Sequence, residues 1–184
     1  MKTARGARFS GSLRCSVRHK AGLHYDNHKG MAVTVHLKDI VEVLELQFDE
    51  HPSFLDLDTG KVETVSVDLL RKAEAPGDEE PDLPEWQKPE WEIAKRIVST
   101  DRFLKLPTEH DVHEWDIMQD FADSRTSARI REELLEAIHG SGAFRYFKSI
   151  TRRRGLETAW YEFRSQALRQ IAVEWCEENQ VAWA

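Results

Sequence analysis

From Thr108 almost to the C-terminus, apolar residues recur at helical spacing, and this constrains the fold more than any other feature of the chain. Thr108 can cap a first helix, with Asp111 three residues on. Val112, Trp115, Met118, Phe121 and Ala122 form its stripe. Ser127 is the expected cap of a second helix, which carries Ile130, Leu134, Ala137 and Ile138 and is stopped by Gly140. A third starts at Ala143 and ends near Arg154-Gly155. The fourth carries Trp160, Phe163, Ala167, Leu168, Ile171 and Trp175. The C-terminal half is therefore expected to be all helical.

The preceding residues read differently. Leu37, Ile40, Val41, Leu44 and Phe48 fall on one helix face, and Pro52 ends that segment. Phe54–Leu57 and Val62–Val65 flank Asp58-Thr59-Gly60, a short connection with glycine where positive φ is needed, which signals a hairpin. A lone hairpin is marginal. Arg102–Leu106 alternates, ends at Pro107 and is the expected third strand. Residues 74–85 are proline-rich and acidic, the composition of a solvated linker or loop. Trp86, Glu90, Trp91, Ile93, Ala94 and Ile97 suggest a short helix with Pro89 in its first turn. The expected fold is α+β: a small antiparallel sheet, hairpin plus a third strand, packed with helices. No repeat of 20–50 residues is visible.

Charge divides the chain. Residues 1–33 hold seven Lys/Arg and one acid, whereas the rest hold 19 bases and 32 acids, a net −13. An acidic body repels phosphate backbones at long range, which disfavours nonspecific nucleic-acid binding by the body, and a basic arm could reverse that locally. No apolar stretch follows the early charges, so the arm is not a secretory signal. It is free of acids up to Tyr25, as organellar transit peptides are, yet Gly6, Gly11 and Gly22 interrupt any amphipathic helix. A nucleic-acid-binding tail and an upstream extension before a start at Met31 stay open beside that reading. The expected organisation is a basic, disordered arm or upstream extension over 1–33, then a single α+β domain over 34–184. No run approaches the ~18 apolar residues of a spanning helix. Cys15 and Cys176 cannot form a disulfide scaffold or a thiolate zinc site.

One stretch carries chemistry beyond packing: Gly140-Ser141-Gly142-Ala143-Phe144-Arg145-Tyr146-Phe147-Lys148. Two glycines precede a helix whose first turn has free N–H groups, a start that can hold an anion. Arg145, Lys148 and Arg152 recur at i, i+3 and i+7 and share one face. Phe144 and Phe147 are assigned to the core face. The patch reads either as a site for phosphate, nucleotide or an acidic partner, or as a helix corner whose bases pair with neighbouring carboxylates. The glycine spacing lacks the strand of a dinucleotide fingerprint and the Gly-Lys-Ser/Thr of a P-loop.

This same stretch resembles the Gly-x-Gly-Ala-Phe-Arg-Arg-Phe-Lys-Asp segment of the bacterial uncharacterised protein family 0158. Leu37–Val41 is similar to that family's opening helix and Phe54–Gly60 to its hairpin. Met118–Phe121, Trp160–Phe163 and Glu174–Asn179 follow in the same order. Tyr146 and Ser149 depart from the family's usual Arg and Asp. The resemblance implies a bacterial, soluble protein expected in the cytoplasm, with no assigned activity and no catalytic residues to carry over. It also favours Met31 as the natural start.

Other candidates are weaker. His110, Asp111, His113 and Glu114 are read in one helical turn, where a metal would need further ligands. Asp58-Thr59-Gly60 matches an aspartic-protease triplet only superficially, because that chemistry needs two facing carboxylates in a larger fold. Cys176 is read as a buried small residue. Trp160, Tyr161, Phe163 and Trp175 are read as core rather than a base-stacking platform. No cofactor or metal is implied. The leading expectation is a non-enzymatic binding or regulatory protein. It would hold an anionic partner, acidic protein or nucleic acid, through Gly140, Gly142, Arg145, Lys148 and Arg152. The alternative is an enzyme acting on a phosphorylated or nucleotide substrate at the Gly140–Gly142 corner. No nucleophile–base pair can be assembled, which favours binding.

Overall fold

The computed structural model describes residues 33–46, 50–75 and 81–184. Strand β1 (Thr34–Val35) leads into helix α1 (Leu37–Glu45), whose Leu37, Ile40 and Leu44 are buried at i, i+3 and i+7. This is the expected stripe; its last member, Phe48, lies outside the described residues. So do most of the expected basic arm and part of the acidic loop at 74–85.

The hairpin forms as β2 (Ser53–Asp56) and β3 (Val62–Thr64), with Leu55 opposite Val62. Strand β4 (Phe103–Lys105) adds antiparallel to the other edge of β2, so the order is β3-β2-β4. Asp56 fastens the turn. Its Oδ1 accepts from the Asp58 N–H at 2.8 Å, and its backbone carbonyl accepts from Gly60 N–H at 2.8 Å, with Gly60 at φ +72°. Arg96 Nη2 donates to Asp56 Oδ2 at 2.8 Å, and Arg102 pairs with Asp58. Burial alone would raise the Asp56 carboxyl; the Asp58 N–H and the Arg96 guanidinium outweigh it and hold the group below its usual range.

Helix α2 (Val67–Glu74) adds to the expected elements. Ser66 caps it, accepting from Leu69 N–H at 3.4 Å, while the Ser66 N–H donates to Glu90 of α3 (Lys88–Ser99) at 2.7 Å. The pair encloses a small core of Val65, Leu69, Trp91 and Ala94, separate from the main one.

The helical half comprises α4 (Glu114–Asp123), α5 (Ala128–Ala137), α6 (Ala143–Arg153) and α7 (Glu157–Glu178). Two caps differ from expectation. Asp111 Oδ2 accepts from both the N–H and hydroxyl of Thr108 at 2.8 Å, yet this closes a turn and α4 begins only at Glu114. Ser127 sits at the start of α5, but its hydroxyl makes no capping bond. After α7, the chain adds a strand to the expected helices. Residues Ala182–Trp183 (β5) pair parallel with β1, and Leu37 N–H donates to the Ala184 carbonyl at 3.0 Å.

Phe121 of α4 centres the main core. Its ring meets Phe147 of α6, Trp160 of α7 and Phe163 of α7 edge-on at 5.9, 5.3 and 5.4 Å, and Phe147 meets Trp160 at 4.7 Å. Such pairs contribute ~0.5–1.5 kcal/mol each beyond burial. They also fix the rotation of α6 and therefore decide which of its residues face outward. Among the described residues, no helix is long and apolar enough to cross a membrane.

Candidate functional site

The corner between α5 and α6 is built on backbone angles. Gly140 and Gly142 have φ of +83° and +81°, and Gly142 is the residue before the first helical turn. A Cβ on Gly142 would lie 3.5 Å from the Tyr146 ring and 3.6 Å from Arg145 Nη2, ordinary contacts. Glycine is required here by conformation, not by space. The Gly142 carbonyl accepts from Tyr146 N–H at 3.1 Å, so the N–H groups before Tyr146 are those that every helix start leaves without a helical acceptor.

The inner face of α6 is set by Phe147 and Thr151, both buried. Phe144 does not join them. It is 41% exposed, contrary to its expected core position, and so are Tyr146 at 54% and Tyr161 of α7 at 47%. Of the four aromatic residues of α7 expected in the core, Trp160 and Trp175 are buried, Phe163 packs against the core from its edge, and Tyr161 faces outward. Lys148 lies half-buried, its ammonium 4.4 Å from the Phe144 ring centroid and 5.9 Å from that of Tyr161. The Arg145 guanidinium lies 5.5 Å from the Tyr146 ring. The aliphatic stem of a lysine covers apolar surface while its charge stays at the boundary with water.

The bases of this segment separate into two groups. Arg152 Nη2 donates to Glu157 at 3.2 Å. Arg129 of α5 and Arg153 approach Glu133 at 3.6 and 3.8 Å, and Arg154 binds the same carboxylate with two nitrogens, Nε donating at 2.9 Å. The hydrogen bond from Arg154, ahead of all other influences, holds the Glu133 carboxyl below its usual range and raises Arg154 in return. Arg145 and Lys148 make no ion pair among the described residues. The expected face of three free bases thus narrows to two, with Arg152 at its edge and engaged. Three surface rings join them. Residue type alone favours a core place for Phe144 and Tyr161, and Tyr146 carries no such assignment.

The remaining candidates do not assemble. His110 is exposed in the turn before α4, while Glu114 accepts from Arg164 of α7 at 2.8 Å, so the two share no helical face. Asp58 serves the hairpin with Arg102. Cys176 is buried, and burial followed by the nearby Glu177 pushes its thiol up to about 11. A cleft of about 810 Å³ lies elsewhere, between α1, the hairpin and the segment after β4, lined by residues including Glu42, Ser53, Lys61, Lys105 and His110. It contains none of Gly140, Gly142, Arg145, Lys148 or Arg152.

A family model described as "Uncharacterised protein family (UPF0158)" matches residues 30–184. The chain is also 29% identical over 150 residues to the UPF0158 protein PA5073 of Pseudomonas aeruginosa, covering 81% of this chain and 85% of that protein. No solved structure matches. The match spans the hairpin sheet, the helical half and the Gly140–Lys148 corner together, and the chain belongs to the uncharacterised protein family UPF0158.

Proposed function

We propose that this is a non-enzymatic binding or regulatory protein of the bacterial cytoplasm, which holds an anionic partner on the outer face of α6. One observation carries the reading: Arg145 and Lys148 make no ion pair among the described residues, while the three arginines that follow are matched to Glu157 and Glu133. A base retained only for the fold gains from a carboxylate within reach, and even then an exposed pair is worth only ~0–1 kcal/mol. Two cations without a carboxylate, beside arginines that share Glu133 and Glu157, fit a role outside the fold. Neither cleft among the described residues is lined by Gly140, Gly142, Arg145 or Lys148; the second touches this side of the protein only at Tyr161, beside Glu45 and Glu162. This supports binding over the enzyme alternative at the Gly140–Gly142 corner.

The test is the double variant Arg145→Gln/Lys148→Gln in the full chain. Its melting midpoint should fall by a few degrees at most, the scale of the exposed cation–π contacts it loses (~0.5–1 kcal/mol each), while salt-sensitive retention on heparin falls. A lower midpoint with unchanged retention would make the two bases scaffold.

A further inference from the structure

We infer that the partner of this face is single-stranded nucleic acid, bound by stacking of its bases on exposed rings and by Arg145 and Lys148 at its phosphates. The inference rests on the reading of the face as an anion-binding surface and names the anion. Its basis is two ring-and-cation groups on the flanks of α6: Lys148 with Phe144 and Tyr161, and Arg145 with Tyr146, the latter ring about 160° round the helix from Lys148. Phe144, Tyr146 and Tyr161 each leave about half of their surface open. Lys148 stands between Phe144 and Tyr161, and Arg145 lies against Tyr146. Exposed rings interleaved with open cations are what a single strand requires: every base has a π-face to stack, and every nucleotide brings a phosphate. An acidic peptide would satisfy the two cations and leave the three rings without a role. A duplex keeps its bases stacked on one another and offers the rings nothing.

The surroundings limit the footprint. Glu45 and Glu162 line a cleft on the Tyr161 side, and Glu157 occupies Arg152. With the net negative charge of the body, this confines the strand to a short path served by the two cations. Two phosphate contacts on a single strand correspond to a salt dependence of about −1.4 in log K against log salt.

The experiment uses the full chain and a fluorescent 12-nucleotide oligo(dT), with oligo(U), a duplex of equal length and a polyglutamate peptide as parallel probes. Titrations are run at several salt concentrations. Compared with the parent, Arg145→Gln/Lys148→Gln should weaken oligonucleotide binding and make the slope shallower by about 1.4. Tyr146→Ala/Tyr161→Ala should weaken binding at least about tenfold with the slope unchanged. Tyr146→Leu/Tyr161→Leu, which keeps apolar bulk without a π-face, should resemble the alanine variant, and melting midpoints verify that each variant is folded. Preference for oligo(dT) or for oligo(U) supports the inference equally and identifies the strand. Duplex binding as tight as single-strand binding, or tyrosine variants that bind like the parent, would overturn it. Polyglutamate binding that depends on Arg145 and Lys148, without oligonucleotide binding, would overturn it too and leave the anion-binding reading standing. If neither probe responds to the glutamine variant, both readings fail.

Discussion

The Lys148 ammonium lies 4.4 Å from the centroid of the Phe144 ring, one turn back along α6. The contact holds a charged head over an aromatic face at the surface of the protein, whereas Phe147, three residues beyond Phe144, is sealed in the core against Phe121 and Trp160. Two phenylalanines of one helix therefore do different work. Phe147→Ala should cost about 3–5 kcal/mol, because it removes a buried ring and opens a cavity. Phe144→Ala should cost only about 1 kcal/mol, the scale of an exposed cation–π contact. Denaturant midpoints of the two variants check this, and equal costs would place Phe144 in the core after all.

Gly142 tests the corner. At φ +81° a β-branched side chain is strained whatever the space, so Gly142→Val should destabilise by about 1–3 kcal/mol. Nothing around the site obstructs a Cβ, so Gly142→Asn, which tolerates the left-handed region, should recover part of the loss. Chemical denaturation reads both; a valine variant as stable as the parent would give the corner ordinary backbone angles.

Much of this was legible beforehand because it depends on period and punctuation. The Leu37, Ile40 and Leu44 stripe, the turn at Gly60, the third strand before Pro107 and the helix stops at Gly140 and Gly155 each follow from spacing or from a residue with special backbone freedom. What was not legible depends on neighbours. Helix α2 has only Leu69 fully buried, too little for a periodic signal, although Ser66 marks its start. Strand β5 is two residues long, and no pattern can announce it. Phe144 lies about 60° around the helix from Phe147, on the border of the apolar face. Only the packing of Phe147 against Phe121 and Trp160 decides that the border turns outward there.

Asp56 predicts an acid limb of stability. Its carboxyl is lower in the folded protein than in the unfolded chain, so its contribution is fully present above the ordinary aspartate range near 3.8. It is lost as pH falls through the folded value. Asp56→Ala removes the acceptor for the Asp58 N–H and the partner of Arg96, and should cost about 1–3 kcal/mol at pH 7. The difference between parent and variant should shrink below pH 4. A difference that stays constant down to pH 2 would contradict the assignment.

Cys176 should be inert in the folded protein. With a thiol at about 11 and no exposure, its thiolate fraction at pH 8 is roughly one in a thousand. Peptide mapping after iodoacetamide treatment should show Cys176 unmodified under native conditions and alkylated in denaturant. Rapid native labelling would mean that α7 opens.

If Arg145 and Lys148 hold a partner, removing them must weaken retention more than removing two bases that are already paired elsewhere. Lys38 and Arg71 are paired with Glu42 and Asp68 on α1 and α2. Lys38→Gln/Arg71→Gln removes the same two positive charges as Arg145→Gln/Lys148→Gln. Both full-length variants are loaded on heparin and eluted with a salt gradient beside the parent. The control pair should elute with the parent, and the α6 pair at clearly lower salt. Equal displacement of both variants would mean that net charge alone governs retention, and would contradict a site on α6.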